Sequence, residues 1–136
     1  MQALCSLPVA IALCGTLPAH ASKEAVLALD KFQVSSPGIG RSGPVVVSGE
    51  QEANRVVSLA VQAFGRTVNL SPEQLAKLRG GFINGIQISY EAGYRQLGGR
   101  TIYVILSKGF TSGLQETQLV SVNENGLAEV SDAIRK

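Results

Sequence analysis

The sequence predicts an α+β domain, in which one or two helices pack on a small antiparallel β meander of three to four strands. Two observations favour this class. Before Gly81, apolar residues recur at helical spacing, whereas after Gly81 they alternate with polar residues or run continuously, as they do in strands. From Phe82 to Lys136 there is no proline, and five of the seven aromatic residues lie in this stretch.

The first 21 residues have the pattern of a secretory signal peptide. An apolar run, Leu7 to Leu17, is followed by Ala19 and Ala21 in an Ala-x-Ala arrangement, which predicts cleavage before Ser22. The stretch before the run has no Lys or Arg, which departs from the usual pattern. A buried helix is the alternative. The run is too short to predict a membrane-spanning helix, so we expect no integral membrane segment once the signal is removed.

Removal of this segment would take away the residue types on which most catalytic sites depend. Cys5, Cys14 and His20 are the only cysteines and the only histidine in the chain. The mature chain would then lack a Ser-His-Asp triad, a Cys-His pair and a typical zinc site. We therefore expect no enzyme activity, no cofactor and no metal. An enzyme that uses carboxylates alone is the remaining catalytic alternative.

The charged residues are balanced and dispersed. The chain has twelve basic and ten acidic residues, and neither kind forms a run in the sequence. Nucleic-acid binding is therefore not expected. Residues 22–47 are predicted to form an N-terminal arm and a flexible linker, because residues 35–43 are rich in Ser, Gly and Pro. Residues 48–136 are assigned to a single α+β domain.

The first helix of that domain is predicted over residues 50–64. Ser48 and Gln51 have the spacing of a capping box, and Gly65 is placed to end the helix. Apolar residues recur between them at helical intervals: Ala53, Val56, Val57, Ala60, Val61 and Phe64.

The second helix is predicted over residues 72–79. Ser71 occupies the N-cap position, Pro72 the first helical position, and Gln74 the third position of a capping box. Leu75 and Leu78 would share one face, and the glycine at position 80 would end the helix.

This second segment also resembles the end of a double-glycine leader, which bacteriocin-processing cysteine peptidases cut after the second glycine. The resemblance covers 12 of the 136 residues. One position departs from the family pattern, because Gln74 stands where the family usually has Glu. The resemblance implies peptidase recognition of an apolar helix face followed by two glycines. The residues that match are Leu70, Ser71, Leu75, Leu78, Gly80 and Gly81.

The β-rich part is predicted over residues 82–130. Ile86, Ile88 and Tyr90 alternate with polar residues, which predicts a strand with one solvated face. Residues 101–106 are apolar on both faces, as expected of a central strand. Turns are predicted at residues 97–100 and at Asn125-Gly126, with further strands over 118–122 and 127–130.

Two functions fit this composition. The first is an exported, non-catalytic periplasmic or secreted bacterial protein that acts as a protein-binding or inhibitor-like module. The candidate binding surface is Tyr90, Glu91, Tyr94 and Arg95, because Tyr and Arg dominate interface anchors. The alternative is a precursor that a double-glycine peptidase cleaves after Gly81 to release a β-rich product, with possible self-association through a sheet edge. The expected partner is therefore a protein or a processing peptidase.

Overall fold

The computed structural model describes residues 27–38, 43–91 and 100–135 of the chain. These residues form two antiparallel sheets that follow one another in the sequence, with a short helix between them. The elements are β1 (Lys31–Ser36), β2 (Val45–Glu52), β3 (Arg55–Ala63), β4 (Arg66–Asn69), α1 (Pro72–Lys77), β5 (Phe82–Glu91), β6 (Thr101–Gly109), β7 (Gln115–Asn123), β8 (Ala128–Val130) and β9 (Ile134–Arg135).

The first sheet is a meander with the strand order β1-β2-β3-β4. On β2, the side chains of Val45, Val47 and Gln51 face inward and are buried. Glu50 pairs with Ser58, whereas Gln51 pairs with Val56, so β3 carries one extra residue at this point. This extra residue forms a β-bulge, which bends the strand and increases its twist.

The predicted helix over residues 50–64 is wrong, because this stretch forms the β2–β3 hairpin. The bulge places the buried residues Val56 and Leu59 three positions apart, which imitates the spacing of a helix. The turn also carries no glycine signal, because Ala53 takes the left-handed conformation with φ of +54°. Gly65 lies in the β3–β4 turn, with φ of +74°, and does not end a helix.

Helix α1 has the N-terminus that the sequence predicts. The hydroxyl of Ser71 accepts a hydrogen bond from the backbone N of Gln74 at 3.2 Å, and Oε1 of Gln74 accepts one from the backbone N of Ser71 at 2.9 Å. Nε2 of Gln74 also donates to the carbonyl of Ala128 on β8 at 2.8 Å. Gln74 thus caps α1 and ties it to the second sheet.

The second sheet has the strand order β5-β6-β7-β8, and β9 pairs with β7 along the same edge as β8. Strand β6 is central, and Asn125-Gly126 lies in the β7–β8 turn, as the sequence predicts. The turn predicted at residues 97–100 lies largely outside the described residues, which resume at Arg100.

The inward faces of the two sheets share one hydrophobic cluster. The predicted α+β packing is therefore wrong: the second sheet buries its apolar face against the first sheet, because the residues expected to form a long covering helix are themselves strands. The fully buried members of the cluster, with no more than 1% exposure, are Val47, Leu59, Val61, Ala63, Leu78, Ile83, Val104, Leu106, Val120 and Val122.

No helix among the residues that the structure describes is both long enough and apolar enough to span a lipid bilayer.

Candidate functional site

An apolar pocket of about 310 Å³ lies at one end of the two sheets. Four separate parts of the chain form it: Ala28 before β1, the β2–β3 turn, the segment that joins α1 to β5, and the β6–β7 turn. Its lining residues are Ala28, Ala53, Asn54, Gly80, Gly81, Phe82, Gly109, Phe110 and Thr111.

The two glycines of the double-glycine motif form part of this pocket, and the fold requires both of them. Gly80 has φ of +106°, a conformation that favours glycine. A Cβ on Gly81 would lie 2.8 Å from the carbonyl oxygen of Gly109 and 3.2 Å from the ring of Phe110. A side chain at position 81 would therefore force the start of β5 away from the end of β6.

Hydrogen bonds fix the turn that carries the aromatic wall of the pocket. The backbone N of Phe110 donates to the carbonyl of Leu114 at 3.1 Å, and the N of Gly113 donates to the carbonyl of Phe110 at 2.9 Å. The ring of Phe110 lies against Gly80 and Gly81. The walls of the pocket are thus backbone and the rings of Phe82 and Phe110, and the β6–β7 turn holds Phe110 in place.

Beside the pocket, a buried polar cluster holds α1 on the second sheet. The ammonium of Lys108 lies 3.4 Å from Oε2 of Glu116, and it donates hydrogen bonds to Oε1 of Gln118 and to the carbonyl of Arg79. Nε2 of Gln118 donates to the carbonyls of Lys77 and Ser131 at 2.7 and 2.9 Å. The three side chains are at most 4% exposed.

Burial lowers the pKa of Lys108, and the neighbouring Glu116 raises it by less. A buried lysine with a lowered pKa is also found in catalytic sites. Here, however, the ammonium is fully buried and donates to a backbone carbonyl and an amide oxygen. The arrangement is therefore that of a structural cluster under the end of α1.

The candidate binding surface from the sequence divides between described and undescribed residues. Tyr90 lies on the inward face of β5, is half-buried and packs against the core. Glu91 ends β5. Tyr94 and Arg95 lie outside the described residues. Whether these four residues form one surface therefore stays a prediction.

Tyr90 instead lies close to a charged cluster at the other end of the sheets. Nε of Arg100 donates to Oε2 of Glu124 at 2.8 Å, and the guanidinium carbon lies 5.4 Å from the centre of the Phe64 ring. The hydrogen bond to Glu124 raises the pKa of Arg100, and Tyr90 adds to that effect. The backbone of Asn125 accepts a hydrogen bond from Arg66 at 2.8 Å, which joins the two sheets here.

Three of the six residues of the double-glycine motif are buried in the folded chain. Leu70 and Leu78 are 7% and 0% exposed, and Gly81 is buried. Leu75 is half-buried, whereas Ser71 and Gly80 are exposed. A peptidase that binds the apolar face of this segment would have to act before the chain folds, or after local unfolding.

A broader depression of about 470 Å³ lies on the first sheet. It is shallow, and apart from Phe32 it is lined by small or polar residues, including Ser48, Ser58, Ala60 and Asn69. Lys31 and Glu50 form an exposed ion pair at its side, with 3.4 Å between the ammonium and the carboxylate. Such a surface offers no enclosed volume, and we place the candidate site at the apolar pocket.

Sequence analysis did not find this pocket, because its lining residues come from four separate parts of the chain. Phe82 and Phe110 are the missed residues that form its walls. The signal in the sequence is indirect. Glycines directly precede both phenylalanines, in Gly80-Gly81-Phe82 and in Gly109-Phe110.

A scan against protein-family models gave no match, and neither the search of curated proteins nor the search of solved structures found a significantly similar protein. Among the described residues, no group of three or more histidine, cysteine, aspartate or glutamate side chains is arranged to hold a metal ion.

Proposed function

We propose that this chain is an exported, non-catalytic protein-binding module, and that its apolar pocket receives one large apolar side chain of a partner protein. The pocket formed by Gly80, Gly81, Phe82 and Phe110 is the observation that supports this function. Export is supported by the signal-like pattern of Met1 to Ala21, which lies outside the described residues.

The size of the pocket favours a single side chain. Its volume of about 310 Å³ is at the lower end of the range of roughly 300–1,000 Å³ for small-molecule sites. One aromatic side chain would occupy about half of it, since a cavity of about 150 Å³ holds a benzene ring. Such anchors, buried in a desolvated pocket, carry most of the binding energy in protein interfaces.

The chemistry of the lining also favours a protein anchor over a metabolite. Only Asn54 and Thr111 bring polar side chains to the pocket, and none of its lining residues is titratable. Small-molecule sites usually add several convergent polar groups that fix the orientation of the ligand. An apolar side chain needs no such groups.

The pocket is preformed, which lowers the cost of binding. Its floor is backbone that the contact between Gly81 and Gly109 holds in place, and the hydrogen bonds of Phe110 and Gly113 fix the turn above it. Because little rotamer freedom remains to be lost in these residues, more of the contact energy is available for affinity.

Selection from a phage-displayed random peptide library tests this function. We expect selected peptides to share one aromatic or large aliphatic residue. We also expect their binding to be lost in Ala28→Trp, which fills the pocket from its exposed rim. Thr67→Trp adds the same side chain at an exposed position on β4 and is the control. Peptides that bind wild type and Ala28→Trp equally well would overturn the proposal.

A further inference from the structure

A second groove, of about 210 Å³, lies between α1 and β3. Its floor and sides are largely apolar, and Val57 within it is 40% exposed. The lining residues are Arg55, Val56, Val57, Pro72, Leu75, Ala76 and Arg79. On α1, positions 72, 75 and 76 share one helix face, as their spacing requires, and Arg79 lies in the turn that follows the helix.

The charge of this groove has one sign. Arg55 and Arg79 supply its two charged side chains, and no carboxylate is among its lining residues. Glu73 and Lys77, the charged residues of α1, do not line the groove. A ligand in the groove would therefore lie between two guanidinium groups over an apolar floor.

Both arginines can be engaged by a ligand. Arg79 is exposed, and its backbone carbonyl is held by the hydrogen bond from Lys108 at 3.1 Å, which fixes the point from which its side chain extends. Arg55 forms an ion pair with Glu52 at 3.1 Å, and both side chains are about 70% exposed. Exposed pairs of this kind contribute little to stability, so a ligand carboxylate can replace Glu52.

In two places, residues that are neighbours in the chain line the apolar pocket and the groove. Asn54 lines the pocket and Arg55 lines the groove, and Gly80 lines the pocket while Arg79 lines the groove. Since an extended peptide advances about 3.3 Å per residue, residues close to an anchor in the pocket would pass over the two arginines.

We propose that the partner segment is acidic: one large apolar side chain occupies the pocket, and Asp or Glu residues close to it in sequence pair with Arg55 and Arg79. This inference rests on the proposed function and names the chemistry of the partner. Guanidinium groups bind carboxylates through two parallel hydrogen bonds, which gives the contact a preferred geometry.

The test compares peptide selections on wild type and on the double variant Arg55→Gln/Arg79→Gln, both as full-length folded chains. We expect Asp and Glu to be enriched beside the anchor residue on wild type and not on the variant. The affinity of a selected acidic peptide should fall about fivefold or more on the variant, because two exposed charge-assisted contacts are lost together. It should also fall as the salt concentration rises.

Lys77→Gln is the matched control, because it removes an exposed charge from α1 outside the groove. Its affinity for the acidic peptide should equal that of wild type. Peptides that depend on the pocket but bind the double arginine variant as tightly as wild type would overturn the acidic partner while leaving the proposed function in place. Peptides that bind Ala28→Trp as tightly as wild type would overturn the proposed function itself.

Discussion

The side-chain amide of Gln51 bonds to both backbone groups of Ile83 and thereby joins the two sheets. Nε2 of Gln51 donates to the carbonyl of Ile83 at 2.7 Å, and Oε1 accepts from the backbone N of Ile83 at 2.9 Å. Leu29 also donates to the carbonyl of Ile83, and the backbone N of Gln51 donates to the carbonyl of Asp30. The side chain of Gln51 thus pairs with Ile83 as the backbone of a neighbouring strand would, and it joins β2 to the bulged start of β5.

Replacing Gln51 with Leu should lower the free energy of unfolding by about 2–4 kcal/mol. The variant leaves a buried N–H and reduces the partners of a buried carbonyl, and each unsatisfied group costs about 1–3 kcal/mol. Urea unfolding followed by circular dichroism measures the change. Gln87→Leu, at an exposed position on β5, is the control and should stay within about 0.5 kcal/mol of wild type.

Removing one member of the buried Lys108–Glu116 pair should destabilise the chain more than removing both. Lys108→Met leaves Glu116 as a buried charge without its ammonium, which costs about 3–5 kcal/mol. In Lys108→Met/Glu116→Leu, we expect recovery of at least half of that loss, because the second charge is gone. Urea unfolding of the three proteins tests the order. A double variant less stable than Lys108→Met would contradict this account.

The lowered pKa of Lys108 predicts a contribution to stability that increases with pH. The folded-state pKa lies below the ordinary value of 10.5 that we assign to the unfolded chain, because burial disfavours the charged ammonium. Between those two pKa values the unfolded chain binds more protons than the folded chain, so the free energy of unfolding rises with pH. Below the folded-state pKa, Lys108 is charged in both states, and the full cost of burying its ammonium lowers the stability. Unfolding of wild type from pH 8 to 10.5 should therefore have a steeper upward slope than unfolding of Lys108→Met/Glu116→Leu. Equal slopes would show that Lys108 titrates normally in the fold.

Replacing Gln74 with Glu separates the structural role of α1 from peptidase recognition. The carboxylate keeps an acceptor for the backbone N of Ser71 but loses the donor that reaches the carbonyl of Ala128. We expect the free energy of unfolding to fall by about 1–3 kcal/mol. Glu is also the residue that double-glycine leaders usually carry, so a recognition segment would tolerate it or be cleaved more efficiently.

The second readout of Gln74→Glu is the N-terminus of the protein recovered from its host, determined by intact mass. We expect a start at Ser22 for wild type and for the variant. Cleavage after Gly81 would remove the whole first sheet and expose buried residues such as Val104 and Val120. A start at Phe82 would show that the double-glycine segment is a processing signal.

Local signals in the sequence predicted the elements that depend on neighbouring residues. The capping box of Ser71 and Gln74, the central strand β6 and the Asn125-Gly126 turn are all present. The hairpin at Ala53 was missed because an alanine with positive φ carries no turn signal, and the β3 bulge gave its apolar residues helical spacing.

The contacts that define the candidate site depend on residues far apart in the chain. Lys108 is buried because Glu116 lies opposite it across a hairpin and the carbonyl of Arg79 reaches it from the end of α1. The pocket likewise needs Gly81 and Gly109 to meet. Neither relationship follows from local spacing, since each depends on the pairing of β5 with β6 or of β6 with β7.

The most direct test of the apolar pocket is titration of the ¹⁵N-labelled protein with N-acetyl-phenylalanine amide, followed by NMR. Its ring stands for the anchor side chain of a partner, and N-acetyl-alanine amide is the matched control. We predict shifts centred on the amides of Gly80, Gly81, Gly109, Phe110 and Thr111, absent with the alanine compound and absent in Ala28→Trp. Shifts that avoid these residues, or that persist unchanged in Ala28→Trp, would contradict a binding function for this pocket.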